Sequence, residues 1–196
     1  MASGKYKTCC LLSCNFIPGH EILAVAATDG HVGFFSIPTL AKNTVHDDWS
    51  FHLRFPIHQS SVKCMQIIPI SSMWTLYVIL MVDSVIYLLT GGDDNAIVLT
   101  EVSFDTEVRC TKVAFVTDAH TSTITGVLSL GRLQFLSISI DQRIRIWGLN
   151  GSNLVCLCQA YTFVSDVCGI VEIPVHGRKR RFVIFGTGME LIAWEE

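Results

Sequence analysis

Charge is the first thing this chain has little of. Asp, Glu, Lys and Arg make up 16% of its 196 residues, a low share for a domain soluble by itself, so part of the surface is expected to be covered. With 14 Lys and Arg against 17 Asp and Glu, the net charge of -3 is too near neutral for a general affinity for nucleic acid. Among eight cysteines there is no Cys-x-x-Cys pair, and no histidines stand at finger spacing, which removes the usual zinc-site reading. The N-terminus MASGKYKTCC carries no cleavable signal pattern and the cysteine spacings form no disulfide framework. The cysteines therefore read as buried, reduced core residues of a cytosolic protein. Helical periodicity is also weak, because the apolar runs are short, β-branched and interrupted by Gly, Pro or Asp.

What is present is strand alternation. Half the residues are hydrophobic, enough for a sizeable core. In FLSISIDQRIRIW, Phe135 to Trp147, Leu136, Ile138 and Ile140 alternate with Ser137 and Ser139 before Asp141. Arg143 and Arg145 then alternate with Ile144 and Ile146 up to Trp147. This pattern predicts two antiparallel strands joined by a tight turn. With His120 upstream, the order His, strand, Ser139-x-Asp141, strand, Trp147 resembles the per-blade signature of a WD-repeat propeller.

The six-residue interval from Asp to the strand-ending Trp serves as a ruler for internal repeats. It fits four times. Asp29 leads to Phe35, with strands Ile22 to Ala27 and Val32 to Ile37 around it; Asp94 leads to Thr100; Asp141 leads to Trp147. Counting back from Trp194 reaches Gly188, so the fourth repeat lacks its Asp. Each hairpin would be the middle of a four-stranded blade. Inner strands are expected at Thr8 to Ile17, Val62 to Ile68, Thr123 to Leu130 and Asp166 to Ile173, and outer strands at Ser50 to Ile57, Val108 to Phe115 and Leu154 to Thr162. The fold class is therefore all-β: a partial WD-repeat β-propeller of about four four-stranded antiparallel blades, near residues 8–57, 58–116, 120–162 and 166–196, the last lacking its outer strand. His58 to Asp94 is 36 positions against 21 from His120 to Asp141, so the second repeat holds extra residues, placed within Pro69 to Val85. A seven-bladed ring needs about 300 residues, so the chain reads as the C-terminal part of a longer parent whose remaining blades would be partners. An unpaired strand edge in its last blade would invite association.

Ser, His and Asp are also the elements of nucleophilic hydrolysis. Within a blade, His120, Ser139, Asp141 and Trp147 read instead as a buried hydrogen-bonded chain that fastens the turns. No catalytic, cofactor-binding or metal-binding residue is assigned, and the chain is expected not to be an enzyme. Cys156 and Cys158, two apart on a strand, read as core residues facing one way. The run from Ile67 to Leu89 is long enough for a membrane span, but Pro69, Ser71, Ser72 and Asp83 oppose that. It reads as an inserted apolar strand or loop, with no membrane partner. His176 to Arg181, HGRKRR, is the one concentrated basic element, expected as an exposed rim loop; Arg178, Lys179, Arg180 and Arg181 are candidates for contact with RNA or a partner.

Finer detail carries a narrower resemblance. SISIDQRIRIW, Val164-Ser165-Asp166-Val167 and the ending FGTGMELIAWEE, with AATDGHVGFF at Ala26 and TGGDDNAIVL at Thr90 before them, resemble the C-terminal blades of the WD repeat-containing protein six family, regulators of tRNA wobble-position 2'-O-methylation. The resemblance covers nearly the whole chain, and SIDQR and the closing G-x-G-x-E-x-x-x-W are its most specific parts. It implies a cytoplasmic, non-catalytic subunit that partners an FtsJ-type tRNA 2'-O-methyltransferase and helps present tRNA for methylation of nucleotide 34. The methyl donor S-adenosylmethionine would be held by that partner. The alternative from another class is a generic WD-repeat protein-interaction adaptor in signalling or growth control, without RNA contact.

Overall fold

The computed structural model describes residues 9–17, 19–37, 53–69, 85–105, 107–174 and 179–195. All fifteen elements among them are strands. The first blade is β1 (Leu11–Ile17), β2 (Ile22–Ala27), β3 (His31–Ser36) and β4 (Leu53–Pro56); the second is β5 (Val62–Pro69), β6 (Val85–Gly92), β7 (Ile97–Phe104) and β8 (Val108–Val116). The third is β9 (Ile124–Gly131), β10 (Gln134–Ser139), β11 (Arg143–Asn150) and β12 (Asn153–Tyr161), and the fourth is β13 (Gly169–Ile173), β14 (Lys179–Phe185) and β15 (Met189–Glu195). Among the described residues each blade is an antiparallel meander in chain order, three of them four-stranded and the last three-stranded. The propeller reading of the sequence holds.

The hairpins form where Asp stands because the next residue takes a left-handed backbone: Gly30 at φ 81°, Asn95 at 62° and Gln142 at 61°. Gly and Asn enter that region readily; Gln does so at a cost. In all three turns the Asp carboxylate accepts the N–H two residues on, from His31, Ala96 and Arg143. The carbonyl of each left-handed residue reaches to the connection that leads into the next blade: Gly30 accepts from the N–H of His58, Asn95 from His120 and Gln142 from Thr162.

Side chains of neighbouring blades interleave to make three cores, one per interface. Ala24, Val32 and Phe34 of the first blade pack with Val62, Leu88 and Val102 of the second. Leu89 and Leu99 meet Ile124, Phe135 and Trp147. Leu136, Ile138 and Ile146 meet Phe182 and Ile184. Inner strands lie close together, and glycine permits it: a Cβ on Gly126 would stand 2.7 Å from Ile170 Cγ2 and 2.9 Å from Ile138 Cγ2.

The extra apolar residues of the second repeat fall at 70–84, outside the described residues, while Ile67 to Pro69 and Val85 to Leu89 belong to β5 and β6. Among the described residues no helix is long and apolar enough to cross a membrane, which says nothing of strands.

Candidate functional site

The strongest polar constellation lies where the third blade's hairpin meets the connection before β9. Trp147 Nε1–H donates to Ser137 Oγ at 2.8 Å, Ser137 Oγ lies 2.8 Å from His120 Nε2, and His120 Nδ1 lies 3.1 Å from both oxygens of Asp141. Asp141 also accepts the N–H of Thr121 and of Arg143. One proton arrangement satisfies every atom: indole N–H to hydroxyl, hydroxyl to a neutral imidazole, and imidazole N–H to carboxylate. Burial, the largest influence on His120, pushes its pKa below the usual histidine value and outweighs the pull of Asp141, which favours that neutral ring. For Asp141, burial acts to raise the pKa, but the N–H groups of Thr121 and Arg143 and the nearby His120 prevail and lower it.

Ser137 takes the place that the sequence reading gave to Ser139. Both serines lie on the face of β10 turned the same way, and alternation alone cannot separate them. Ser139, next to the turn, donates instead to Ser122 O and accepts from Asp141 N–H. Ser137 has no exposed surface at all, so a substrate has no route to its hydroxyl. The arrangement contains the atoms of a hydrolytic triad, all engaged in holding the fold.

The same clasp recurs with substitutions. In the second blade His58 Nδ1 lies 2.8 Å from Asp94 and His58 Nε2 lies 2.9 Å from Thr90, while Gln59 N–H donates to Asp94. Thr100 stands where Trp would, buried, and its Oγ1 has no partner among the described residues. The fourth clasp was not foreseen. Thr162 occupies the histidine position, its hydroxyl lies 2.5 Å from Glu190 Oε2, and Phe163 N–H donates to that oxygen at 3.0 Å. Glu190 does from β15 what Asp141 does from a turn, its longer side chain covering the difference. Signals for it existed in the closing Gly-x-Gly-x-Glu, but the six-residue ruler pointed at Gly188. Trp194 pairs with Arg180 as Trp147 pairs with Phe135. Two residues along from that partner stands Phe182 rather than a serine, and the buried Nε1 of Trp194 has no acceptor among the described residues.

The basic segment does not form the expected rim loop over its described part. Lys179, Arg180 and Arg181 are in β14; Arg178 lies outside the described residues. Arg180 turns toward the third blade, where its Nε and Nη2 hold both oxygens of Glu172 at 2.7 and 2.6 Å and Nη2 donates to Ser129 O at 3.0 Å. Arg181, its neighbour on an alternating strand, faces the other way and is exposed. Among the described residues, Arg180 is therefore turned away from the side that carries Lys179 and Arg181.

The cysteines also depart from expectation. All eight are free, five of them exposed and none in the buried class. Burial still pushes the thiols of Cys64 and Cys110 up to about 12. Cys156 and Cys158 do not share a face: a bulge between Ile146 and Trp147 pairs Cys158 with Ile146 and Cys156 with Trp147, and those two partners lie in different cores. One extra residue reverses the parity of everything after it. No group of three or more His, Cys, Asp or Glu among the described residues is placed to hold a metal ion.

A groove of about 330 Å³ remains between the outer halves of the third and fourth blades, lined by Ile144, Ile146, Cys158 and Ala160 on one side and Phe182 and Ile192 on the other. Set against known protein families and curated proteins, the chain matches none.

Proposed function

We propose that the chain is a non-catalytic WD-type scaffold. In its most specific form it supports 2'-O-methylation of tRNA nucleotide 34 by an FtsJ-type methyltransferase, in the cytoplasm, with S-adenosylmethionine bound by that partner. The observation that carries the non-catalytic part is the engagement of Ser137, His120 and Asp141 with Trp147 in a buried relay. A scaffold of this kind contributes binding energy and orientation to chemistry performed elsewhere. The tRNA part is supported by the residue resemblance, in which Gln142 and Glu190 are distinctive. Each ties two blades: the Gln142 amide donates to Val164 O, and Glu190 holds Thr162 and Phe163.

Affinity capture of the tagged chain, followed by measurement of nucleotide-34 2'-O-methylation after its depletion, tests this. Recovery of a methyltransferase and loss of the methyl group are expected. Retained methylation would contradict the tRNA reading.

The second reading, a protein-interaction adaptor without RNA contact, is favoured by one observation: Arg180 is held by Glu172 and Ser129 and so is withdrawn from a phosphate-binding strip. Arg181→Glu separates the two. If tRNA touches this strand, the variant lowers affinity and reduces the salt slope by about 1; an adaptor leaves both unchanged.

A further inference from the structure

Asparagine before glycine is a chemically labile step. The main-chain nitrogen of the second residue can reach the side-chain carbon of the first, and glycine has no Cβ to shield that nitrogen. Of the five asparagines in the chain only Asn150 precedes a glycine. It ends β11 and pairs with Asn153 at the last position of the ladder to β12, leaving Gly151 and Ser152 as the turn. Gly151, at φ 61°, is the first of the two central residues, a place that a two-residue hairpin turn reserves for glycine. All four residues are exposed. A Cβ on Gly151 would meet nothing within 4 Å. Neither the Asn150 carboxamide nor the Gly151 N–H has a hydrogen-bond partner among the described residues.

Asp29-Gly30 is the same kind of step in a different setting. There the carboxylate accepts from the N–H of His31 and from Arg54, the Gly30 N–H donates to Ala27 O, and a Cβ on Gly30 would clash with the His58 carbonyl. The reacting groups at 29 and 30 are therefore tied down. Those at 150 and 151 are restrained by the end of a ladder, where strands fray most readily.

We propose that Asn150 is a site of spontaneous deamidation and isomerisation, with water as the only co-reactant. When the end of the hairpin frays, the Gly151 nitrogen loses its proton and attacks Asn150 Cγ. The new C–N bond closes a succinimide ring, and the bond from Cγ to the side-chain nitrogen breaks to release ammonia. Water then opens the ring at either carbonyl. One opening leaves aspartate; the other leaves isoaspartate, whose main chain runs through the former side chain. One water enters, one ammonia leaves, and nothing is oxidised or reduced.

Either product adds a negative charge to a chain whose net charge is -3. Isoaspartate also lengthens the main chain by one methylene between β11 and β12. The next pair inward is Leu149 with Leu154. The Leu149 N–H donates to Leu133 O, and Leu154 packs in the core between the second and third blades. A longer connection disturbs the register of that pair, so the modification reaches the interface. The site follows from hairpin chemistry and is independent of the tRNA reading.

The test incubates the full folded chain in mildly alkaline buffer beside a synthetic peptide with the sequence Ile146–Leu157, until the peptide has converted. Peptide mapping by mass spectrometry reads the amide-to-acid gain at each asparagine, and chromatography separates isoaspartyl from aspartyl products. Asn150 is expected to convert at least roughly tenfold faster than Asn15, Asn95 and Asn153 and to give both products. Hydrogen exchange at the Leu149 and Leu154 amides is expected to quicken in the isoaspartyl form. Asn150→Gln, which lacks the succinimide route at an exposed position, is expected to lose the conversion and keep the wild-type melt. No conversion at Asn150 in the folded chain, or conversion no faster than at the other asparagines, would overturn the proposal. Unchanged exchange at Leu149 and Leu154 in the isoaspartyl form would overturn its reach to the interface.

Discussion

Trp147 and Trp194 hold corresponding positions in β11 and β15 and differ by one bond. The indole N–H of Trp147 meets Ser137, whereas that of Trp194 is buried without an acceptor among the described residues. Removing a satisfied buried donor strands its partner, while removing an unsatisfied one relieves a desolvation cost. Trp147→Phe is therefore expected to lower the unfolding free energy by about 1–2 kcal/mol, and Trp194→Phe to change it by less than about 0.5 kcal/mol or to raise it, as measured by denaturant titration. The clasp also sets a pH dependence. His120 has its pKa lowered, so between the usual value near 6.5 and its lower folded value the unfolded chain binds more protons. Its contribution is complete above about pH 6.5 and is lost as the pH falls below that. Asp94 and Asp141, also lowered, add a second loss below about pH 4, in the same direction. The melting temperature is expected to drop from pH 7 to pH 5, and His120→Gln is expected to flatten that part of the curve. At this scale the sequence disclosed three of the four clasp residues of the third blade. Ser137 and Ser139 share a strand face, and only three-dimensional register tells which one meets an indole. Arg180 was legible in principle, since alternation with Arg181 places one of them inward.

Strand positions were read within a few residues, because period-two alternation and Asp-led turns are local signals. The bulges were not. In β12 a single extra residue sends Cys156 and Cys158 to opposite faces, and β8 has its counterpart between Leu99 and Thr100; nothing in composition marks either. Glycine carries the close approach of the inner strands. At Gly126 an added Cβ meets branched methyls of Ile170 and Ile138, whereas at Gly188 it meets open space. Gly126→Ala is expected to cost about 1–3 kcal/mol through overpacking, with Gly188→Ala within about 0.5 kcal/mol of wild type, read from paired thermal melts. Comparable costs at the two sites would mean that β9 and β13 are not held as close as Gly126 allows.

For the molecule as a whole, counting repeats gave four blades, and the packing gives three interfaces between them. The far face of the fourth blade, with Val171, Phe185, Met189 and Leu191 exposed, is apolar and contiguous, since Val171 pairs with Val183, Val183 with Leu191, and Phe185 with Met189. Such a face promotes association. Leu191→Lys is expected to shift the chain toward monomer in sedimentation velocity; an unchanged distribution would place self-association elsewhere. The low charge content predicts that some surface is covered; which face of the fourth blade is apolar depended on strand parity. The proposed scaffold role rests on Ser137, His120 and Asp141 holding the blades together. Equilibrium unfolding of Ser137→Ala beside the wild type tests it most directly. Loss of the hydroxyl strands the indole N–H and the imidazole, and one cooperative transition lowered by about 1–3 kcal/mol is expected. Wild-type stability together with lost function would contradict the account.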